Sequence, residues 1–224
     1  MRRAFTILLA FLVLVAESEA KTKRSRHRSP ASRKTASPPK VSIPQGRFST
    51  VVIDPGHGGH DLGGIPQNII PEKGATLDVA RRLSTALQAT GFCTVLTRED
   101  DTFVSLPARV AAANAHPEGI FVSIHFNSGL RPGARGIETF YSSASGAALA
   151  SRIQRHLLCT TTGDNRGIKR AGFFVLRKSK IRSVLAECGF LTNREDVALA
   201  QSASYRQRLA EQIAEAIVEY RDSL

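Results

Sequence analysis

The stretch "VVIDPGHGGHDLGG" runs from Val51 to Gly64. It begins as a β-branched run, breaks at Asp54-Pro55, and then sets His57 and His60 among five glycines (Gly56, Gly58, Gly59, Gly63 and Gly64). A turn needs one or two glycines. Five within nine residues imply a backbone that comes close to something, or one that displays side chains at a strand end.

Outward from this stretch the chain alternates between strand-like and helix-like segments. Ser49–Asp54 reads as a first strand and Phe92–Thr97 as a second. Between them, Gly74–Thr90 carries Leu77, Ala80, Leu83, Ser84 and Leu87 at helical spacing, closed by Gly91. Ser105–His116 opens with a capping serine and places Pro107 in its first turn, so it reads as a helix. Gly119–His125 and Arg135–Ser142 read as strands, and Gly146–Leu158 as a helix. Phe173–Arg177 and Ile181–Glu187 read as extended, and the polar stretch Cys159–Gly172 between them and the helix as a loop. A short helix from near Asn193 precedes a longer one with Tyr205, Leu209, Ile213, Ala216 and Tyr220 on one face. Alternation of this kind predicts a single α/β domain with helices on both faces of its sheet.

Three of these strands end on chemistry. The first ends at Asp54 and His57, the third at His125, and the last at Glu187. In an open α/β sheet the ligand site lies beyond the carboxyl ends of the strands. Two imidazoles and a carboxylate delivered there form a metal constellation or three unrelated polar strand ends, and spacing alone leaves both open. Glu72 stands where the first long helix begins.

The motifs then occur in a fixed order: "VVIDPGHGG" with Asp61, Glu72-Lys73, "VLTREDD" at 95–101 followed by "FVSL" and Arg109, "FVSIHFNS" at 121–128, and "VLAECGFLTN" at 184–193. Together they resemble the zinc-dependent N-acetylmuramoyl-L-alanine amidases that cut peptidoglycan, over about residues 50–220. The resemblance implies a twisted, mostly parallel, roughly six-stranded sheet. It also implies one Zn2+ held by His57, Glu72 and His125, with Glu187 as catalytic acid/base. A catalytic zinc keeps three protein ligands and one open position. A carboxylate off the metal then moves the proton. Glu187 ends an apolar strand, and burial there should raise its pKa. The reaction implied is hydrolysis of the amide between N-acetylmuramic acid and the L-alanine of the stem peptide. Other zinc hydrolysis within the stem, or an inert wall-binding module, are the alternatives. Some members of the family carry an inserted helix over the metal. The 61 residues between His125 and Glu187 are filled by the elements above, so an open site is expected here.

Other polar residues have two readings each. Asp61 orients a ligand imidazole or forms the turn. Asn127 contacts substrate or caps its loop. Arg98 and Arg109 reach a carboxylate of the stem peptide, or pair with Glu99, Asp100 or Asp101. His60 is expected at the surface or in the cleft. Cys188 should lie on the opposite side of its strand from Glu187. Cys93, Cys159 and Cys188 leave at least one thiol free; a single disulfide that the sequence does not place is one reading, and three buried apolar cysteines is the preferred one.

The chain's 224 residues and net charge of +12 divide unevenly. Residues 1–20 read as a signal peptide: a basic start, a 13-residue apolar run too short to span a bilayer, and Ser18-Glu19-Ala20 as cleavage site. An uncleaved anchor is the alternative. Residues 21–47 hold nine Lys or Arg, no acid and no aromatic residue, and read as a basic disordered linker. Residues 1–47 carry +9 and residues 48–224 only +3, so the basic character belongs to the tail. Export and the missing aromatics argue against nucleic acid. An anionic membrane or cell-wall surface suits the tail, as does a plain spacer. The expectation is an exported protein of the periplasm or cell envelope, monomeric, acting through a catalytic domain at 48–224 on peptidoglycan or a lipid-linked muropeptide.

Overall fold

The computed structural model describes residues 48–64, 71–129 and 133–224. The expected leader and linker lie outside the described residues. The elements run β1 (Thr50–Pro55), α1 (Glu72–Ala89), β2 (Cys93–Leu96), α2 (Leu106–Asn114), β3 (Ile120–Asn127), β4 (Ile137–Tyr141) and α3 (Ala144–Leu157). After a 3-10 turn at Leu158–Thr160 come β5 (Asn165–Arg170), α4 (Phe174–Lys178), β6 (Arg182–Phe190), α5 (Arg194–Gln201) and α6 (Ala203–Asp222).

One six-stranded sheet results, in the order β2-β1-β3-β6-β4-β5. β2, β1, β3 and β6 run parallel, while β4 is antiparallel to β6 and carries β5 parallel to itself. The parallel strands are near-continuous apolar runs, as strands covered on both faces must be. Side chains alternate between two very different faces. Val51, Ile53, Val122, Ile124, Val184 and Ala186 meet the long helices α1, α3 and α6 and the short α5 in the main core. Val52, Phe121 and Leu185 point the other way, onto only α2 and α4, through Val110, Ala113, Val175 and Leu176.

α2 and α5 begin at the caps the sequence offers, while α1 and α3 each begin two residues before the expected start, at Glu72 and Ala144. Ser105 caps α2, its hydroxyl accepting from Ala108 N, with Pro107 in the first turn. Asn193 caps α5 through Glu195 N and Asp196 N. Tyr205, Leu209, Ile213, Ala216 and Tyr220 are all buried on α6.

Three expectations are corrected. Phe173–Arg177 is not extended: residues 174–178 form α4. Four apolar residues in a row, Phe173 to Leu176, carry no periodicity that separates strand from helix. The expected loop at 159–172 contains β5, a polar edge strand whose only sheet neighbour is β4. Of the three cysteines, Cys188 is buried but Cys93 and Cys159 are exposed, and all are free thiols. Cys93 opens β2 and Cys159 lies in the 3-10 turn, both at the ends of elements rather than in their buried faces. Among the described residues, no helix is long and apolar enough to cross a membrane.

Candidate metal centre

β1 delivers Asp54 to the sheet edge, and the glycine-rich loop turns back over it. His57 sits at φ 61°, the left-handed region that a non-glycine residue enters only when its surroundings hold it there. Two buried arginines do the holding. Arg98 donates to Pro55 O (3.1 Å), Gly56 O (2.7 Å), Lys73 O (2.9 Å) and Asp100 O (2.8 Å). Arg109 pairs with Asp54 Oδ1 at 2.6 Å and donates to Pro55 O (2.7 Å) and His57 O (2.6 Å). Asp54 also accepts from Thr97 Oγ1 (2.6 Å) and Ser123 Oγ (2.7 Å). The tight loop is closed by Gly58 N to Asp61 O and Asp61 N to Gly58 O, 2.9 and 3.1 Å.

Glu72 is the first residue of α1 and is buried. The helix N-terminus favours its negative charge. Its Oε2 accepts from Gly64 N (2.7 Å) and its Oε1 from Phe126 N (2.9 Å). That same Oε1 lies 3.1 Å from His57 Nε2 and 3.1 Å from His125 Nδ1. The ring centroids of the two histidines are 4.9 Å apart, edge to face. The ligand atoms of His57, Glu72 and His125 all lie within 4.8 Å of one another. His57 Nδ1 donates to Asp61 Oδ1 at 2.9 Å, which fixes the tautomer and leaves Nε2 facing Glu72.

The electrostatics follow from this packing. Burial opposes ionisation of Glu72, but hydrogen bonds from His125 and His57 outweigh it and hold the carboxyl far below its usual range. Burial likewise opposes charge on His125, yet its bond to Glu72 and the fields of Glu187 and Glu72 raise it to about 8. His57 is raised for the same reason, burial again overcome by Glu72. Burial makes charging Asp61 costlier, but its bond to His57 wins and lowers it.

Glu187 stands beside His125 as its cross-strand neighbour. It is 8% exposed, and its Oε2 is buried with no hydrogen-bond partner among the described residues. Burial pushes its carboxyl up to about 7, against the opposing field of His125. Buried polar atoms are almost always paired, so an orphaned carboxylate oxygen next to two imidazoles marks a group kept free for a reactant. A cleft opens here on the thinly covered face, walled by Phe103, Val104, Leu106, Phe173, Phe174 and Leu185.

The sequence candidates thus divide. His57, Glu72, His125 and Glu187 converge, with Asp61 behind His57. Arg98 and Arg109 are braces of the His57 loop: their guanidiniums bond backbone carbonyls, Asp100 O among them, and the carboxylate of Asp54, a partner the sequence reading did not include. Asn127 donates to Glu138 Oε1 at 2.6 Å. His60 is exposed and lies against Phe103, ring centroids 4.1 Å apart. Asp54 reads from the sequence as the chemistry-bearing end of the first strand but with no role, and its bonds to Arg109, Thr97 and Ser123 supply one. Sequence reasoning passes over Glu138, which looks like an ordinary surface position in Arg135–Ser142 and is buried.

Two imidazoles and a carboxylate that could hold a metal ion converge here, with a free buried carboxylate alongside, an arrangement suited to hydrolysis. Residues 51–219 match the N-acetylmuramoyl-L-alanine amidase family, and the chain belongs to that family. It is 39% identical over 175 residues to the N-acetylmuramoyl-L-alanine amidase LytC of Bacillus subtilis, covering 76% of this chain and 35% of LytC. It is 32% identical over 217 residues to AmiA of Escherichia coli, covering 76% of this chain and 75% of AmiA. The solved structure of AmiC2 of Nostoc punctiforme superposes with a TM-score of 0.73 at 42% identity, over 76% of this chain and 96% of that one. The chain therefore spans about a third of LytC, most of AmiA and most of the solved AmiC2 chain.

Proposed function

We propose that this protein is a zinc-dependent peptidoglycan amidase that hydrolyses the amide between the lactyl group of N-acetylmuramic acid and the L-alanine of the stem peptide. The observation that carries it is the convergence of His57 Nε2 and His125 Nδ1 on Glu72 beside the unpartnered Glu187. The donor set of two nitrogens and one carboxylate oxygen suits zinc and leaves a position open.

When bound, zinc supplies Lewis-acid activation of water and of the amide carbonyl. The chain's own residues do the rest. Asp61 holds the proton on His57 Nδ1, so that Nε2 presents a lone pair. Glu187, its pKa near 7, takes the proton from the attacking water and returns it to the amine nitrogen as the C–N bond breaks. The products are a lactyl carboxylate and a peptide with a free N-terminus. Arg98 and Arg109 keep the backbone at 55–57 in place. The cleft beside Glu187 admits a bulky acyl-peptide from the face that the long helices leave uncovered.

The protein is exported to the periplasm or cell envelope after removal of residues 1–20, and acts as a monomer. Residues 21–47 attach it by charge to an anionic membrane or wall surface, or serve as a spacer. The test is mass spectrometry of digested peptidoglycan, with and without a chelator. Free stem peptides beginning with L-alanine, lost on chelation and regained with zinc, are the expected result. Cleavage at another amide, or equal product from chelated enzyme, overturns this reading.

A further inference from the structure

The register of the sheet sets one line of polar side chains across the carboxyl edge. His125 on β3 pairs with Glu187 on β6, and Glu187 pairs in turn with Glu138 on β4. Cross-strand partners point to the same face, so all three carry on from the metal centre on the thinly covered side. Glu138 is 4% exposed and is not left bare. Asn127 donates to its Oε1 at 2.6 Å. Its Oε2 takes two cations from β5, Arg166 through Nε at 3.1 Å and Lys169 through Nζ in a short contact. The line therefore ends in two partly exposed cations that share one buried carboxylate, an excess of one positive charge. The terminal amino groups of Arg166 have no hydrogen-bond partner among the described residues, and its guanidinium carbon lies over the Phe190 ring, 4.7 Å from the centroid.

We propose that Arg166 and Lys169 form an anion subsite for a carboxylate of the substrate's peptide portion. The proposal rests on the amidase reading and deepens it. β5 lies two strands from Glu187, about 10 Å at 4.8 Å per strand. An extended peptide advances about 3.5 Å per residue, so this reach falls on the second or third residue beyond the scissile amide. The role of stem-carboxylate contact, which Arg98 and Arg109 are too fully occupied to play, passes to this pair. Glu138 pre-positions both cations at low entropic cost, because a bound anion then meets side chains already ordered. The substrate favoured is an acyl-peptide with free carboxylates over one amidated at those positions.

The experiment uses the zinc-loaded full chain and soluble N-acetylmuramoyl-tripeptides with free carboxylates on residues two and three, or with both converted to carboxamides. Binding is measured by calorimetry and turnover by release of free peptide. Wild type should bind the acid form roughly tenfold more tightly, the worth of a charge-assisted hydrogen bond. Arg166→Gln/Lys169→Gln should bind both forms alike, at the level wild type shows for the amide. Because this pair of substitutions strands the buried Glu138, the triple variant with Glu138→Gln serves as the control, with melting temperature and zinc content compared to wild type. Wild type that binds the two forms equally, a triple variant that keeps the preference, or a variant that weakens both forms by the same factor, overturns the subsite. Preferential binding of the acid without release of peptide overturns the amidase reading and leaves the subsite standing.

Discussion

The two faces of the sheet are built to different ends. One is covered by α1, α3, α5 and α6, and its residues Val51, Ile53, Val122, Ile124, Val184 and Ala186 are wholly buried. The other is covered by α2 and the five-residue α4, and beyond them it runs into Asp54, His125, Glu187 and Glu138. Alternation along each strand sends successive side chains to the two sides. Cys188 and Glu187 show the result at adjacent positions. Cys188 faces the helices as a buried thiol, its pKa raised by burial, while Glu187 faces the cleft with an oxygen free. One face supplies cohesion, and the other can therefore hold charged, partly unpaired groups that a core would reject.

The sharpest way to break this division is Glu187→Gln. Turnover should fall by roughly 10²–10⁴-fold while zinc content per chain stays constant. Stability should move the other way. The folded protein raises this carboxyl from 4.5 to about 7, so it favours the protonated form. The cost of charging it is absent below pH 4.5 and complete above pH 7. At about 1.4 kcal/mol per pH unit, metal-stripped Glu187→Gln should be more stable than wild type by about 3 kcal/mol at pH 8 and equal to it near pH 4. Denaturant melts at the two pH values check this, and a loss of stability at pH 8 contradicts it.

On the other face, Ile213→Ala on α6 removes a wholly buried side chain from the main core. It should cost about 2–5 kcal/mol in chemical unfolding and leave turnover per folded molecule unchanged. A change in turnover there would mean that the faces are coupled. Asp61→Asn is smaller and local. It loosens the His57 ring and should lower zinc affinity about 10–100-fold with little effect on melting of the metal-free chain. The least effect is expected at Leu106, 52% exposed on the rim of the cleft. Leu106→Ser should shift stability by no more than about 0.5 kcal/mol.

What could be read from the sequence follows the same division. The long amphipathic helices and the apolar strands announce themselves by period, because burial on one side imposes it. Gly74–Thr90 and the face of Tyr205, Leu209 and Ile213 are cases in point. The polar edge did not. Asn165–Arg170 forms β5 by pairing with a single neighbour, so nothing in its composition is forced to be apolar. Arg98 and Arg109 carry charge, which suggests surface, yet each is buried because a loop of glycines leaves carbonyls that need donors. Glu138 acquires its meaning from a register with Glu187, and register exists only once the strands are paired. The converging site residues and Asp61 behind His57 were visible by motif, whereas the bracing role of Arg98, Arg109 and Asp54 was not.

Gly56 shows how little room such a site leaves for variation. A Cβ added there would lie 2.3 Å from Cε1 of His125, inside the ring's own contact surface. Gly74, in the first turns of α1, has nothing within 4 Å of the same added atom. The two glycines are equally small and differ in mutational tolerance as widely as two positions can. At Gly74 a library of substitutions meets open solvent, and most members improve on glycine in a helix. At Gly56 even alanine must evict an imidazole from its seat. The missing methyl group at position 56 is thus itself a part of the binding site, a shape defined by what is not there.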